Sequence, residues 1–168
     1  KPIALHGIEG RTEATGLGVY FGIREFMDRE DTVKSLNMDR GIAGKRIVIQ
    51  GLGNVGYHAA KFLQEMGDAK IVGIAEYEGG IYDENGLDVE AVVRHRNESG
   101  SILEFSGATN YTDSAQLLEA DCDILVPAAL ENQITAKNAG DIQAKVIAEA
   151  ANGPVDSDAN QILLDREN

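Results

Sequence analysis

Residues 46–76 restrict this chain more than any other stretch does. Arg46-Ile47-Val48-Ile49-Gln50 is a short apolar run that reads as a buried strand, and Gly51-Leu52-Gly53-Asn54-Val55-Gly56 follows it at once. Val55, Ala59, Phe62, Leu63 and Met66 then recur on one face of a helix that closes near Gly67. Lys70-Ile71-Val72-Gly73-Ile74-Ala75 is a second apolar run, ending at Glu76. Strand, glycine turn, helix and strand in this order form a βαβ unit with a right-handed crossover.

Each glycine has a separate task in such a turn. Gly51 permits the tight exit from the strand, Gly53 leaves the backbone open to a pyrophosphate, and Gly56 lets the helix pack closely on the strand. The N–H groups at the helix start, including those of Asn54 and Val55, can then hold phosphate oxygens. A plain strand-to-helix turn is the competing reading, since glycine loops are common. Glu76 supplies the other half of a dinucleotide fingerprint, because a carboxylate about twenty residues beyond the turn can accept hydrogen bonds from ribose hydroxyls. A 2′-phosphate would meet that carboxylate, so NAD is expected, with NADP as the alternative. Glu78 competes with Glu76 for the role, and an exposed acid at a strand end is the bland reading of either.

The alternation continues downstream. Asn85-Gly86 marks a turn, and Asp88 is placed to cap a helix carrying Val89, Val92 and Val93. Ser114 is the expected cap of a short helix with Leu117 and Leu118, and Ser157 of a last helix with Ile162 and Leu163. Asp123–Val126, stopped by Pro127, and Lys145–Ala148 read as further strands, and a short strand is expected near Tyr111. Upstream, a helix capped by Thr12 carries Val19, Ile23, Phe26 and Met27 and fades in Asp28-Arg29-Glu30-Asp31. The expected fold class is α/β, a Rossmann-type doubly wound, mostly parallel sheet with helices on both faces. Residues 1–168 are read as a single dinucleotide-binding domain, with 1–40 a helical lead-in and 41–168 the core.

The formal net charge is −13, which disfavours nucleic acid as a partner because phosphate backbones are repelled. No apolar run approaches a bilayer span, and no secretory signal is visible, so no membrane partner is expected. Cys122 is the only cysteine, which excludes an internal disulfide and a cysteine-rich zinc site. Its acidic neighbours Asp121 and Asp123 favour an inert buried thiol. These features point to a cytoplasmic protein. Lys1 stands where an initiating Met would be, which points to a start inside a longer protein. The histidines His6, His58 and His95 lack a partner motif, and no metal site is expected. His58 reads as a surface residue, and Arg94-His95-Arg96 as a solvated basic patch.

Two further clusters suit a ligand better than a scaffold. Arg11 and Thr15 lie four apart, on one helix face beside Gly10 and Gly16. Pro127-Ala128-Ala129-Leu130-Glu131-Asn132 and Glu149-Ala150-Ala151-Asn152-Gly153-Pro154 each follow an expected strand at its carboxyl end, where open α/β sheets bind ligands. Small residues with one amide each suit a nucleotide lying flat across strand ends. Turn formation is the plain alternative for each asparagine.

Taken in order, Lys1-Pro2-Ile3, Gly7, Gly10-Arg11, Ala14-Thr15-Gly16, Gly18, the loop 51–56, the run 120–129 and Ile147–Pro154 resemble the cofactor domain of the glutamate dehydrogenase family. The resemblance covers essentially the whole chain. It implies that Arg11 and Thr15 lie near the nicotinamide, that Asn54 and its loop contact pyrophosphate and ribose, and that Asn132 and Asn152 line the nicotinamide side. It implies reversible oxidative deamination of an amino acid, L-glutamate, to 2-oxoglutarate and ammonia by a homo-hexameric parent. It also implies that the catalytic lysine and aspartate belong to an N-terminal substrate domain absent from these residues, so this chain is expected to bind cofactor without turnover. Ala150, where the family usually has glycine, and the segment 155–160 mark a divergent member. A leucine-, phenylalanine- or valine-type dehydrogenase, a non-catalytic NAD-sensing module and a flavin or methyl-donor domain are the other readings.

Overall fold

Ile47, Val48, Ile49, Ile71, Val72 and Ile74 are completely buried, so the strands on either side of the glycine turn are covered on both faces, as parallel strands in an α/β sheet are. They form β1 (Arg46–Gln50) and β2 (Lys70–Glu76), paired in parallel with α3 (Asn54–Glu65) between them. The computed structural model describes Gly7 and residues 11–166; Lys1, Pro2, Ile3, His6, Gly10, Glu167 and Asn168 lie outside the described residues. Ahead of β1 come α1 (Arg11–Met27) and α2 (Glu30–Ser35); after β2 come β3 (Gly79–Tyr82), α4 (Val89–Ser99), β4 (Thr109–Tyr111), a 3-10 helix (Ser114–Glu119), β5 (Ile124–Pro127), β6 (Val146–Ile147) and α5 (Ser157–Asp165).

The sheet order is β4-β3-β2-β1-β5-β6. Strands β2, β1, β5 and β6 run parallel, whereas β3 and β4 are antiparallel to their neighbours. Side chains divide between two cores, alternating along β1, while a register irregularity in β2 places Ile71 and Ile74 on the same face. Ile47, Ile49, Ile71 and Ile74 pack with Tyr20 and Ile23 of α1, Leu63 of α3 and Val92 of α4. Val48, Val72 and Leu125 pack with Leu117, Leu118, Ile134 and Ala159 on the other face. The α/β, doubly wound fold class is as expected.

Several local expectations change. α1 begins at Arg11, so Thr12 sits inside its first turn and does not cap it. α2 occupies residues that read as a fading charged stretch; Glu30 and Asp31 suit the positive end of its dipole, and Val33 is buried. β3 was hidden by Gly79-Gly80, which has poor strand propensity. A Cβ at Gly80 would lie 2.5 Å from Leu117 Cδ2, so glycine is what lets the 3-10 helix pack on that strand.

Asp88 accepts from the N–H of Ala91 at 3.0 Å, as expected. The caps at the other two sites are one residue earlier than serine spacing indicates. Asp113 accepts from Ala115 N–H at 3.0 Å and Asp156 from Ala159 N–H at 2.7 Å. Replacing Asp88 with alanine is expected to cost about 1 kcal/mol. That corresponds to a melting point roughly 2–4 °C lower for a chain of this size, and an unchanged thermal melt would contradict the cap assignment.

Candidate functional site

The parallel ladder continues past the strands and aligns their carboxyl ends. Gly51 N–H donates to Ala75 C=O at 2.7 Å, Ala128 N–H to Gln50 C=O at 2.9 Å, and Ala150 N–H to Pro127 C=O at 3.0 Å. Glu76, Gly51, Ala128 and Ala150 therefore stand on one rim, which joins four strand ends of distant sequence.

The turn out of β1 uses its glycines in different ways. Gly51 has φ +90°, a conformation unfavourable to any residue with a Cβ. A Cβ on Gly56 would lie 1.8 Å from the Gly51 carbonyl oxygen, so α3 can approach β1 this closely only without a side chain there. Gly53 differs: its φ is −69°, and nothing lies within 4 Å of where its Cβ would be. The first turn of α3 has no side-chain cap, unlike α4 and α5. Its N–H groups lack intrahelical acceptors by construction, and Gly53 and Asn54 are exposed. An open backbone, uncapped amides and the positive end of a helix dipole fit an anionic diphosphate.

The start of α1 is seated beside this loop. Asn54 Nδ2 donates to the Thr12 carbonyl at 2.5 Å. A Cβ on Gly16 would meet His58 Cβ at 2.5 Å and Ala59 N at 2.7 Å, so Gly16 sets the contact between α1 and α3. Arg11 and Thr15 are exposed on that helix, one turn apart. His58, read as a surface residue, is half-buried in this contact, with Nδ1 2.7 Å from the Asn54 carbonyl oxygen.

The loops after β5 and β6 are bound to each other. Asn132 adopts φ +54°, and its N–H donates to Gly153 C=O at 3.0 Å. Gln133 and Ile134 donate N–H groups to Pro154 C=O at 2.8 and 2.9 Å. The exposed residues Asn132 and Asn152 are thus carried by one tied pair of loops, with half-buried Ala128 and exposed Ala129 between them and the glycine turn.

Gln50 was not singled out from sequence. It is 7% exposed, its Nε2 donates to Gln133 Oε1 at 2.7 Å, and its own Oε1 has no partner. Its signal was a polar residue ending an otherwise apolar strand directly before Gly51.

Glu76 turns toward the glycine loop, where its Oε1 accepts from Leu52 N–H at 2.5 Å. Arg96 corrects the reading of a solvated basic patch. Its guanidinium meets both Glu76, with Nη2–Oε2 at 2.9 Å, and Glu78, with Nε–Oε1 at 2.9 Å. Burial lowers the Arg96 pKa, but the hydrogen bond to Glu78 and the charges of both carboxylates outweigh it, so the guanidinium pKa lies above its ordinary value. His95 is also engaged, with Nε2 2.8 Å from the Leu103 carbonyl oxygen, and Arg94 alone of the three is exposed. The buried Cys122 thiol is pushed up to about 12 by desolvation, as its inert reading requires. Among the described residues, no helix is long and apolar enough to cross a membrane.

Comparison with known proteins gives one consistent result. Residues 7–167 match the Glutamate/Leucine/Phenylalanine/Valine dehydrogenase family. The chain is 54% identical over 166 residues to a mitochondrial glutamate dehydrogenase of Dictyostelium discoideum, covering 99% of this chain and 33% of that protein. It is 44% identical over 167 residues to a cryptic catabolic NAD-specific glutamate dehydrogenase of Bacillus subtilis, covering 99% and 36%. Its backbone superposes on the hetero-hexameric glutamate dehydrogenase of Thermus thermophilus, in a Leu-bound form, with a TM-score of 0.79 and 31% identity, covering 99% of this chain and 36% of that one. The chain spans about a third of the length of the curated relatives it matches.

Proposed function

This chain belongs to the Glutamate/Leucine/Phenylalanine/Valine dehydrogenase family, and from that premise we propose that it is the NAD-binding unit of a glutamate dehydrogenase. Residues 1–168 then form one cofactor domain, its lead-in helix α1 seated on a core that starts near residue 41. The observation that carries the reading is the uncapped start of α3 over the open Gly53, with Glu76 turned toward the same loop.

Gly51, Gly53, Asn54, Val55 and Gly56 would hold the pyrophosphate, and Glu76 the adenosine ribose. Arg11, Thr15, Ala128, Ala129, Asn132 and Asn152 would flank the nicotinamide along the remaining rim. When bound, the nicotinamide supplies the acceptor for a hydride from the amino-bearing carbon of glutamate. The residues of this chain orient that ring against a substrate held by another part of the enzyme. The carboxylate at position 76 supports NAD over NADP, and the NAD-specific Bacillus relative supports the same choice. A homo-hexameric parent is proposed by analogy with the family, although the Thermus protein is named hetero-hexameric. A cytoplasmic location is proposed on composition alone, and the Dictyostelium relative is named mitochondrial.

The test is a calorimetric titration of this chain with NAD, NADP, FAD and S-adenosylmethionine. NAD is expected to bind and the last two to give no heat of binding; no binding of NAD, or tight binding of FAD, would overturn the proposal. The catalytic lysine and aspartate implied by the resemblance are not among these residues. The chain mixed with glutamate and NAD is therefore expected to give no absorbance rise from NADH, and measurable turnover would refute that part.

A further inference from the structure

The best-organised polar cluster beside the glycine loop is Glu76, Glu78 and Arg96, brought together from β2, the turn after it and α4. Side-chain exposure is 11% for each carboxylate and 24% for the guanidinium, so the cluster is largely withdrawn from water. A guanidinium carries five N–H groups, and four contacts are made here. Nε and Nη2 reach the two oxygens of Glu78 at 2.9 and 3.1 Å, and Nη1 and Nη2 reach those of Glu76 at 3.0 and 2.9 Å. Glu78 is itself pinned, since its Oε1 accepts from Ile102 N–H at 3.2 Å. Glu76 is pinned on its other side by the backbone N–H groups of Leu52 and Tyr77.

Resting on the NAD-binding reading above, we propose that Arg96 is a specificity-determining positioning residue of the adenosine ribose subsite. It fixes the orientation of Glu76. Because Arg96, Leu52 N–H and Tyr77 N–H fill the carboxylate's acceptor positions, a ribose hydroxyl would take the place of the longest contact, the 3.2 Å one from Tyr77. Because Glu78 takes the other fork of the Arg96 N–H groups, the arginine has little left to offer a 2′-phosphate.

The charges follow the same logic. Two carboxylates against one guanidinium leave the cluster with a net negative charge, and a 2′-phosphate would add about two more negative charges to a partly dehydrated site. Glu76 by itself would be a flexible acid that could swing away. Bridged to Arg96 and Leu52 N–H, it cannot move without breaking charge-assisted hydrogen bonds. Releasing Glu78 should turn the same arginine from a partner of carboxylates into a partner for phosphate.

The experiment titrates this chain with ADP-ribose and with ADP-ribose 2′-phosphate, using Arg96→Lys, Glu78→Gln and the double variant Arg96→Met/Glu78→Gln, with thermal melts to confirm folding. The amide oxygen of Glu78→Gln can still accept from Arg96 Nε and Ile102 N–H, which protects the fold, whereas its NH2 group cannot accept from Arg96 Nη2, which releases that group. Arg96→Lys is expected to weaken ADP-ribose about tenfold, because an ammonium cannot hold both forks. Glu78→Gln is expected to shift the ratio of the two affinities about tenfold toward the 2′-phosphate, and the double variant to abolish that shift, as a coupled pair requires. The proposal falls if Glu78→Gln leaves the ratio unchanged, or if its gain survives removal of Arg96. Absence of ADP-ribose binding by the unaltered chain would instead sink the underlying NAD-binding reading.

Discussion

Replacing Gly53 with aspartate is expected to abolish dinucleotide binding while leaving the fold intact. Gly53 sits at φ −69° and ψ −171°, an extended conformation open to any L-residue, and a Cβ there meets nothing within 4 Å. It is the N-cap of α3, and aspartate is among the best N-cap residues, better than glycine by a few tenths of a kcal/mol. The substituted carboxylate would bond the same first-turn amides that the pyrophosphate needs, and would repel the phosphates as well. An internal anion competing at high effective concentration should weaken NAD by at least about a hundredfold. The expected pair of results is a thermal melt equal to or slightly above that of the unaltered chain and no heat of NAD binding in calorimetry. Retained NAD affinity would place the diphosphate somewhere other than this helix terminus.

Gly56→Ala has the opposite signature, with the loss arising in the fold. A single methyl group there would lie 1.8 Å from the Gly51 carbonyl oxygen and 3.3 Å from Ala128 Cβ. The first of these is a backbone atom of the turn itself and has no rotamer through which to escape. α3 would have to lift away from β1, disturbing the packing of Ala59, Ala60 and Leu63, all fully buried. Overpacking of this kind costs roughly 1–3 kcal/mol, and the closeness of the contact places this site at the upper end. At about 2–4 °C per kcal/mol, the melting temperature should fall by about 6–12 °C. NAD binding should weaken with it, because the amides at the start of α3 are displaced along with the helix. A melt within 2 °C of the unaltered chain would show that helix and strand do not depend on this close approach.

Gly51, Gly53 and Gly56 have three separable physical roles, a backbone conformation, an open approach and a close packing contact. All three roles were assigned from spacing, and the structure supplies the φ of +90° at Gly51, the open surroundings of Gly53 and the 1.8 Å approach at Gly56. Spacing sufficed to place them on a strand-to-helix turn, since apolar periodicity marked β1, α3 and β2 on either side. The capping residues were harder to read. Asp113 and Asp156 precede the serines that looked like caps, and their carboxylates take the first-turn amides of Ala115 and Ala159. Strand β3 was illegible because its glycines carry no strand signal of their own; they are there to admit Leu117 from an element more than thirty residues away.

The site divides along the same line. Local sequence sufficed for the βαβ unit, the glycine turn and the carboxylate at position 76, because each depends on backbone sterics and side-chain period over a few neighbouring residues. Folding alone decided what Arg96 does, how Gly16 and His58 seat α1 against α3, and which loops carry Asn132 and Asn152 together. These contacts join residues far apart in the chain, and their partners depend on which side chains the packed sheet turns toward one another.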